Sequence, residues 1–154
     1  MEINELYLKT AFCCMACDGN IVPKEVQLIK NYASNSGLFT MLDVESKLNE
    51  YVANINQQGG SFLNDYLKDI ANASLTEIQE LDIVRIAIQM IEADNKIEYS
   101  EISFFKRIRL NLNISDAIIL EDMPDKEDYL LPDIILKEYE FVLDTPFLNI
   151  NLEN

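Results

Sequence analysis

An internal repeat with a separation of 76 residues is the feature that most constrains what this chain can fold into. In each copy an apolar segment with helical spacing runs into a short acidic turn, and an amphipathic segment follows. The two turns read Cys17-Asp18-Gly19-Asn20-Ile21 and Ala93-Asp94-Asn95-Lys96-Ile97, and Glu25 and Glu101 stand at matching places after them. Self-similarity at a fixed separation indicates one supersecondary unit that occurs twice. We therefore predict two helix-turn-helix units, related by pseudo-symmetry, within one bundle.

Helical spacing of apolar residues continues along most of residues 3–120 and predicts an all-α, compact bundle of about seven helices. The first and fifth helices are apolar almost all round, so both are expected to lie in the core. The last of the seven is short and is predicted around Ser115 to Leu120.

Turn-forming residues and caps predict where several of these helices begin and end. Asp18-Gly19-Asn20 is expected to end the first helix and Gln57-Gln58-Gly59-Gly60 the third, because glycine adopts a positive φ without steric penalty. Ser61 is expected to cap the fourth helix, and Ser74-Leu75-Thr76-Glu77 has the spacing of a capping box before the fifth.

Residues 121–154 have a different character, with ten acidic residues against two lysines. We therefore predict a helical domain at 1–120 and an acidic C-terminal extension at 121–154. Apolar residues alternate with less apolar ones around Phe141 and again around Ile150, with Pro146 between the two stretches. This alternation is compatible with a short β-hairpin at the end of the extension.

The charge of the chain excludes several classes of partner and of chemistry. Asp and Glu number 27 against 12 Lys and Arg, which gives a formal charge of -15. Such a field repels nucleic acid and anionic lipid and attracts cations and basic protein surfaces. There is no histidine, so Ser-His and Cys-His catalysis and mixed zinc sites are excluded. We predict that the protein is not an enzyme.

The N-terminal residues and the cysteines indicate a cytoplasmic protein. The chain lacks the basic start and long apolar stretch of a signal peptide, and its densest apolar run, Ala11 to Cys17, is too short to span a bilayer. No direct membrane insertion is therefore expected. Cys13, Cys14 and Cys17 fall on one predicted helix, where a disulfide framework makes no sense, and we predict that they are small core residues.

An apolar helix that ends in a small residue and continues as Asp-Gly-x-Ile-x-x-x-Glu resembles the TerB-like (tellurite resistance) family. Here the first copy has Cys17 where alanine is more usual, and the second has Asn95 where glycine is expected. The resemblance covers about residues 3 to 120. It implies a compact bacterial helical domain associated with tellurite resistance, wider stress responses and phage-defence neighbourhoods, with no known reaction. It also implies a suspected metal site, which carried over to this sequence is Asp18, Glu25, Asp94 and Glu101.

The four acids allow two main interpretations. As helix caps, they satisfy free N–H groups and the positive end of the helix dipole, and each contributes about 0.5–2 kcal/mol. As one cluster, joined by Glu92 or Glu98, they need a cation, since two carboxylates about 4 Å apart repel by roughly 4 kcal/mol. Oxygen ligands of this kind suit Ca, Mg or Mn. An EF-hand is disfavoured, because Cys14 and Ala16 stand where its first ligands belong.

Two functional hypotheses follow. The first is a non-catalytic stress-response or phage-defence protein that acts through protein-protein interaction, using its acidic surface and the C-terminal extension. The second is a divalent-cation-binding sensor or metal-handling protein that uses the paired acidic turns. Phe104 and Phe105 stand side by side before Lys106-Arg107, so part of that helix is a candidate apolar patch, although one of the two Phe residues is expected to lie in the core.

Overall fold

A computed structural model describes residues 2–17, 23–37, 43–93 and 99–130 of the chain. Within these ranges it contains seven α-helices, one 3-10 helix and no strand, which confirms the predicted all-α class. The elements are α1 (Ile3–Ala16), α2 (Pro23–Ser36), α3 (Val44–Gln58), α4 (Gly60–Asn72), α5 (Glu77–Glu92), α6 (Tyr99–Leu110), α7 (Asp116–Asp122) and the 3-10 helix η1 (Glu127–Leu130). The predicted β-hairpin falls outside the described residues.

The centre of the bundle is formed by α1 and α5, which pack against each other more extensively than any other pair of described elements. From Leu6 to Ala16 every residue of α1 except Lys9 is buried. On α5 the buried residues cover most of the helix, while Asp82, Arg85 and Gln89 remain accessible. Apolar residues around most of a helix demand neighbours on several sides, and this is why the two core helices predicted from the sequence pair with each other.

Helices α3 and α4 cover α1 with aromatic side chains. The rings of Phe12, Tyr51 and Phe62 form a cluster with centroids 5.5 to 6.0 Å apart. Beside it, the buried Thr10 hydroxyl donates to the Leu6 carbonyl at 2.8 Å. The Tyr66 hydroxyl lies 2.6 Å from the Thr10 Oγ1. Because the Thr10 proton is already donated to Leu6, Tyr66 is the donor of this second bond. This pairing satisfies two hydroxyls that would otherwise be costly to bury.

Two of the predicted helix starts are displaced by a residue or two. The capping box of α5 is formed by Thr76 and Gln79, not by Ser74 and Glu77, because Thr76 is the last extended residue and its Oγ1 accepts from the Gln79 N–H. Helix α4 begins at Gly60 without a side-chain cap from Ser61. A positive φ of 63° at Gly59 lets α3 end and α4 begin with no spacer.

The connection between α6 and α7 is held by a buried carboxylate of α5. Glu80 is 6% exposed, and its Oε1 accepts the backbone N–H groups of Asn113 at 2.8 Å and Ile114 at 2.7 Å. Hydrogen bonds from backbone N–H groups to a carboxylate are strong. Here they satisfy two N–H groups that have no partner within a helix. Glu80 thereby fixes where the chain turns after α6.

Residues 121–130 continue from the helical body. The last turn of α7 ends at Asp122, and η1 packs on α6 through Tyr129, whose ring meets Phe105 edge-on at 5.5 Å. The division into 1–120 and 121–154 stays a prediction, but contacts with the bundle extend to residue 130. Among the described helices, none combines the length and the apolarity that crossing a bilayer requires.

We expect Glu80→Ala to lower the free energy of unfolding by about 2–4 kcal/mol, because two backbone N–H groups lose their acceptor in a buried place. Glu80→Gln keeps one acceptor oxygen and should cost about half as much. Urea unfolding of the full chain measures both changes, with Gln89→Ala on the accessible side of α5 as a near-neutral control. A Glu80→Ala chain as stable as the control would contradict this role.

Candidate functional site

The four acids of the predicted metal site are only partly within the described residues. Asp18 and Asp94 lie outside them. Glu25 stands in the first turn of α2 and Glu101 in the first turn of α6, and both are half-buried. Across the described ranges, no three or more acidic or cysteine side chains converge as metal ligands would. The four-carboxylate cluster therefore stays a prediction.

The helices that flank the two acidic turns are close neighbours. Cys17, the last described residue before the first turn, has its Sγ 3.7 Å from the carbonyl oxygen of Ser100, which follows the second turn. The pKa of Cys14 is raised well above its usual range by burial first, then by Cys13 and by the charge of Glu101. The end of α1 thus lies beside the start of α6.

The three cysteines are buried free thiols, which confirms their prediction as core residues. Burial also raises the pKa of Cys13 well above the usual range. A nucleophilic or metal-binding cysteine must reach the thiolate form, which an apolar interior disfavours. Cys13 and Cys14 are therefore unreactive packing residues in the folded chain.

Glu92, suggested from the sequence as a further member of the cluster, has partners of another kind. Its carboxylate accepts from the Lys126 Nζ at 2.8 and 2.9 Å and from the Tyr129 hydroxyl at 3.0 Å. The last turn of α5 is thereby tied to the segment that contains η1. These partners lie more than thirty positions away in the chain, so no local spacing could have indicated them.

A second charged network ties α7 to the central helices. Asp82 accepts from the Tyr7 hydroxyl at 2.9 Å and from Arg85 at 2.8 Å. Arg85 also donates to Asp122 at 3.0 and 3.3 Å. The pKa of Tyr7 is raised, chiefly by burial and then by its hydrogen bond to Asp82. One guanidinium therefore joins carboxylates of α5 and α7.

Between them, these two networks hold a surface rich in carboxylates, which we call the α7–η1 acidic face. Its members are all exposed residues: Glu121, Asp122, Asp125, Glu127 and Asp128. Lys126 is the single cation in this stretch, and it is bound to Glu92 and Asp125. The sequence indicated an acidic extension but gave no reason to expect its first part to be fixed on the bundle.

A groove of about 710 Å³ runs between α4 and α6, and we call it the α4–α6 groove. It is lined by Asn64, Leu67, Lys68, Ala71, Arg107, Leu110 and Asn111. The apolar patch predicted at Phe104 and Phe105 is wrong, because both rings are fully buried. Phe104 packs near Tyr66 of α4, and Phe105 packs under Tyr129 of η1. The large apolar residues that α6 does expose are Tyr99 and Leu110, at its two ends.

Comparison with known proteins found no match to a protein-family model, to a curated protein or to a solved structure.

Proposed function

We propose that this chain is a non-catalytic, TerB-like stress-response protein, of the kind associated with tellurite resistance or phage defence, that docks a basic protein surface through the α7–η1 acidic face. The observation that carries the docking proposal is the group of five exposed acidic residues between Glu121 and Asp128, on a stretch of backbone that is anchored to the bundle. The TerB-like assignment rests on the two copies of the acidic turn motif.

The inventory of ion pairs supports an acidic docking surface. Lys9, Lys47, Arg85 and Arg109 each pair with a carboxylate of the chain itself, as Lys126 does. With 27 acids against 12 cations, many carboxylates have no basic partner to neutralise them. Glu121, Glu127 and Asp128 lie among exposed residues, where such charge steers association with a basic surface.

The anchoring of this face also supports the proposal. Asp122 is held by Arg85, and η1 is held by the contacts of Lys126 and Tyr129 with Glu92. Acidic residues on an anchored backbone lose less conformational freedom on binding than those of an unanchored chain. A partner with matching lysines or arginines would therefore bind with a defined orientation.

Replacing four carboxylates of this face tests the proposal. We expect Glu121→Gln, Asp125→Asn, Glu127→Gln and Asp128→Asn together to weaken partner binding roughly 10- to 100-fold, since each surface pair contributes about 0.2–1 kcal/mol. The tagged full chain captures partners from source-cell lysate, and their Kd values are then measured with purified proteins. The same variant should fail to restore tellurite tolerance or phage resistance to a deletion strain.

The matched control removes four other exposed carboxylates and so has the same net charge. Its changes are Glu45→Gln, Glu50→Gln, Asp65→Asn and Glu77→Gln. Equal loss of binding in both variants would show that the partner responds to the net charge of the chain and does not bind this face in particular. Unchanged binding and unchanged growth in the α7–η1 variant would overturn the proposal.

The second candidate function, a divalent-cation sensor, is favoured by one specific observation. The Cys17 Sγ at the end of α1 lies 3.7 Å from the Ser100 carbonyl oxygen at the start of α6, so the residue before one predicted acidic turn lies beside a residue after the other. A cation bound by Asp18, Glu25, Asp94 and Glu101 would couple α1, α2, α5 and α6. Binding would then alter the angles between helices that pack on the central pair.

Calorimetry with CaCl₂, MgCl₂ and MnCl₂ tests this candidate. We expect one of these ions to bind with measurable heat and to stabilise the fold by about 2.7 kcal/mol at 100 times its Kd. Glu25→Gln with Glu101→Gln should abolish the heat, whereas Glu121→Gln with Glu127→Gln, an equal change of charge, should leave it intact. No heat and no change in Tm at millimolar ion would sink the sensor hypothesis.

A further inference from the structure

The described lining of the α4–α6 groove carries positive charge, whereas the chain as a whole is strongly acidic. Lys68 and Arg107 line it, although the chain has a formal charge of -15. Of the other lining residues in the described part of the chain, Asn64 and Asn111 are neutral and the rest are apolar, so none of these described residues carries a carboxylate. A groove of about 710 Å³ has the size of ordinary binding clefts.

The lysine of this groove has no counter-charge within the described part of the chain. Lys68 is exposed and makes no ion pair or hydrogen bond there. Lys106, one helical turn before Leu110 on α6, likewise has no partner among the described residues. In a chain with more than twice as many acids as bases, an unpaired lysine at a groove is a position where an acidic segment is attracted.

The groove also presents apolar surface. Leu110 is 69% exposed, whereas Leu67 beside it is 7% exposed. Covering an exposed leucine side chain removes apolar surface from water and so stabilises a complex. The complementary occupant is therefore a segment that combines carboxylates with large apolar residues.

Residues 131–154 of the same chain have this composition. They contain five acidic residues against one lysine, and Tyr139, Phe141 and Leu143 are among their large apolar residues. They follow directly on η1, which packs on α6, the helix that forms one wall of the groove. A segment of this length spans up to about 80 Å, against about 18 Å for the length of α6, so it can reach the groove.

We propose that the α4–α6 groove binds residues 131–154 of its own chain, with a carboxylate on Lys68 and apolar side chains against Leu67 and Leu110. The connection at Leu130 makes this contact intramolecular. A tether of this length supplies an effective concentration of about millimolar, so weak contacts suffice. Another acidic segment could enter the groove only by displacing residues 131–154. The inference is independent of the docking function proposed for the α7–η1 acidic face.

Zero-length cross-linking of the full chain tests this inference. A water-soluble carbodiimide condenses a lysine amine with a carboxylate in direct contact, and mass spectrometry identifies the joined peptides. We expect Lys68 to be joined to acids of residues 131–154, such as Glu138, Glu140 or Asp144, with a yield that does not depend on protein concentration. Lys24, an exposed lysine of α2 that has no partner in the described ranges, serves as the internal control.

Three results would overturn the proposal. The first is no product between Lys68 and residues 131–154, and the second is an equal yield at Lys24, which marks non-specific collision. The third is a product that joins ¹⁴N-labelled to ¹⁵N-labelled chains in a mixed sample, since this places a second copy in the groove.

Chymotrypsin cleavage after Tyr139 and Phe141 gives a second readout on the full chain. Lys68→Glu should speed this cleavage about two- to five-fold, the effect of losing one surface charge pair, while Lys24→Glu should leave it as in the wild type. Both lysines are exposed, so neither change disturbs the core. Equal cleavage rates in all three chains would contradict the proposed contact.

Discussion

The packing of α1 against α5 is the constraint on which the rest of the molecule depends. Each helix is apolar around most of its circumference, so neither can be stable at a surface. Their mutual burial leaves further apolar sides, which α3 and α4 cover from one direction and α2 and α6 from others. Thr10 and Tyr66 satisfy each other within this core. The two predicted acidic turns follow the ends of these two helices in the sequence.

The α7–η1 acidic face is held by polar contacts with this pair. Asp82 and Arg85 on the accessible side of α5 reach Tyr7 and Asp122. Glu92, at the last turn of α5, holds Lys126 and Tyr129. In this way one helix both fills the core and fixes the α7–η1 acidic face. The α4–α6 groove is formed by the next layer of helices and has the opposite charge, so the two surfaces suit different partners.

Local pattern was sufficient to predict the all-α class, the buried α1 and α5, and the three core cysteines. Long-range contacts were not predictable, because Glu80 meets Asn113 and Glu92 meets Lys126 across more than thirty positions. The patch predicted at Phe104 and Phe105 was wrong for the same reason. Adjacent residues on a helix point about 100° apart, and both rings are buried here because α6 lies between α4 and η1. The role of Asp18 and Asp94 as metal ligands stays a prediction.

Native-state hydrogen exchange tests most directly the claim that α1 and α5 form the central scaffold. The measurement is made under conditions in which the exchange rate of each amide reports the free energy of the opening that exposes it. We then expect the amides of Leu8 to Cys14 and of Ile83 to Ile91 to exchange only through global unfolding. Their opening free energies should match the value from urea denaturation, and those of α2, α3 and α7 should be smaller. Exchange of either central helix through a smaller opening, while a peripheral helix keeps global protection, would contradict the account.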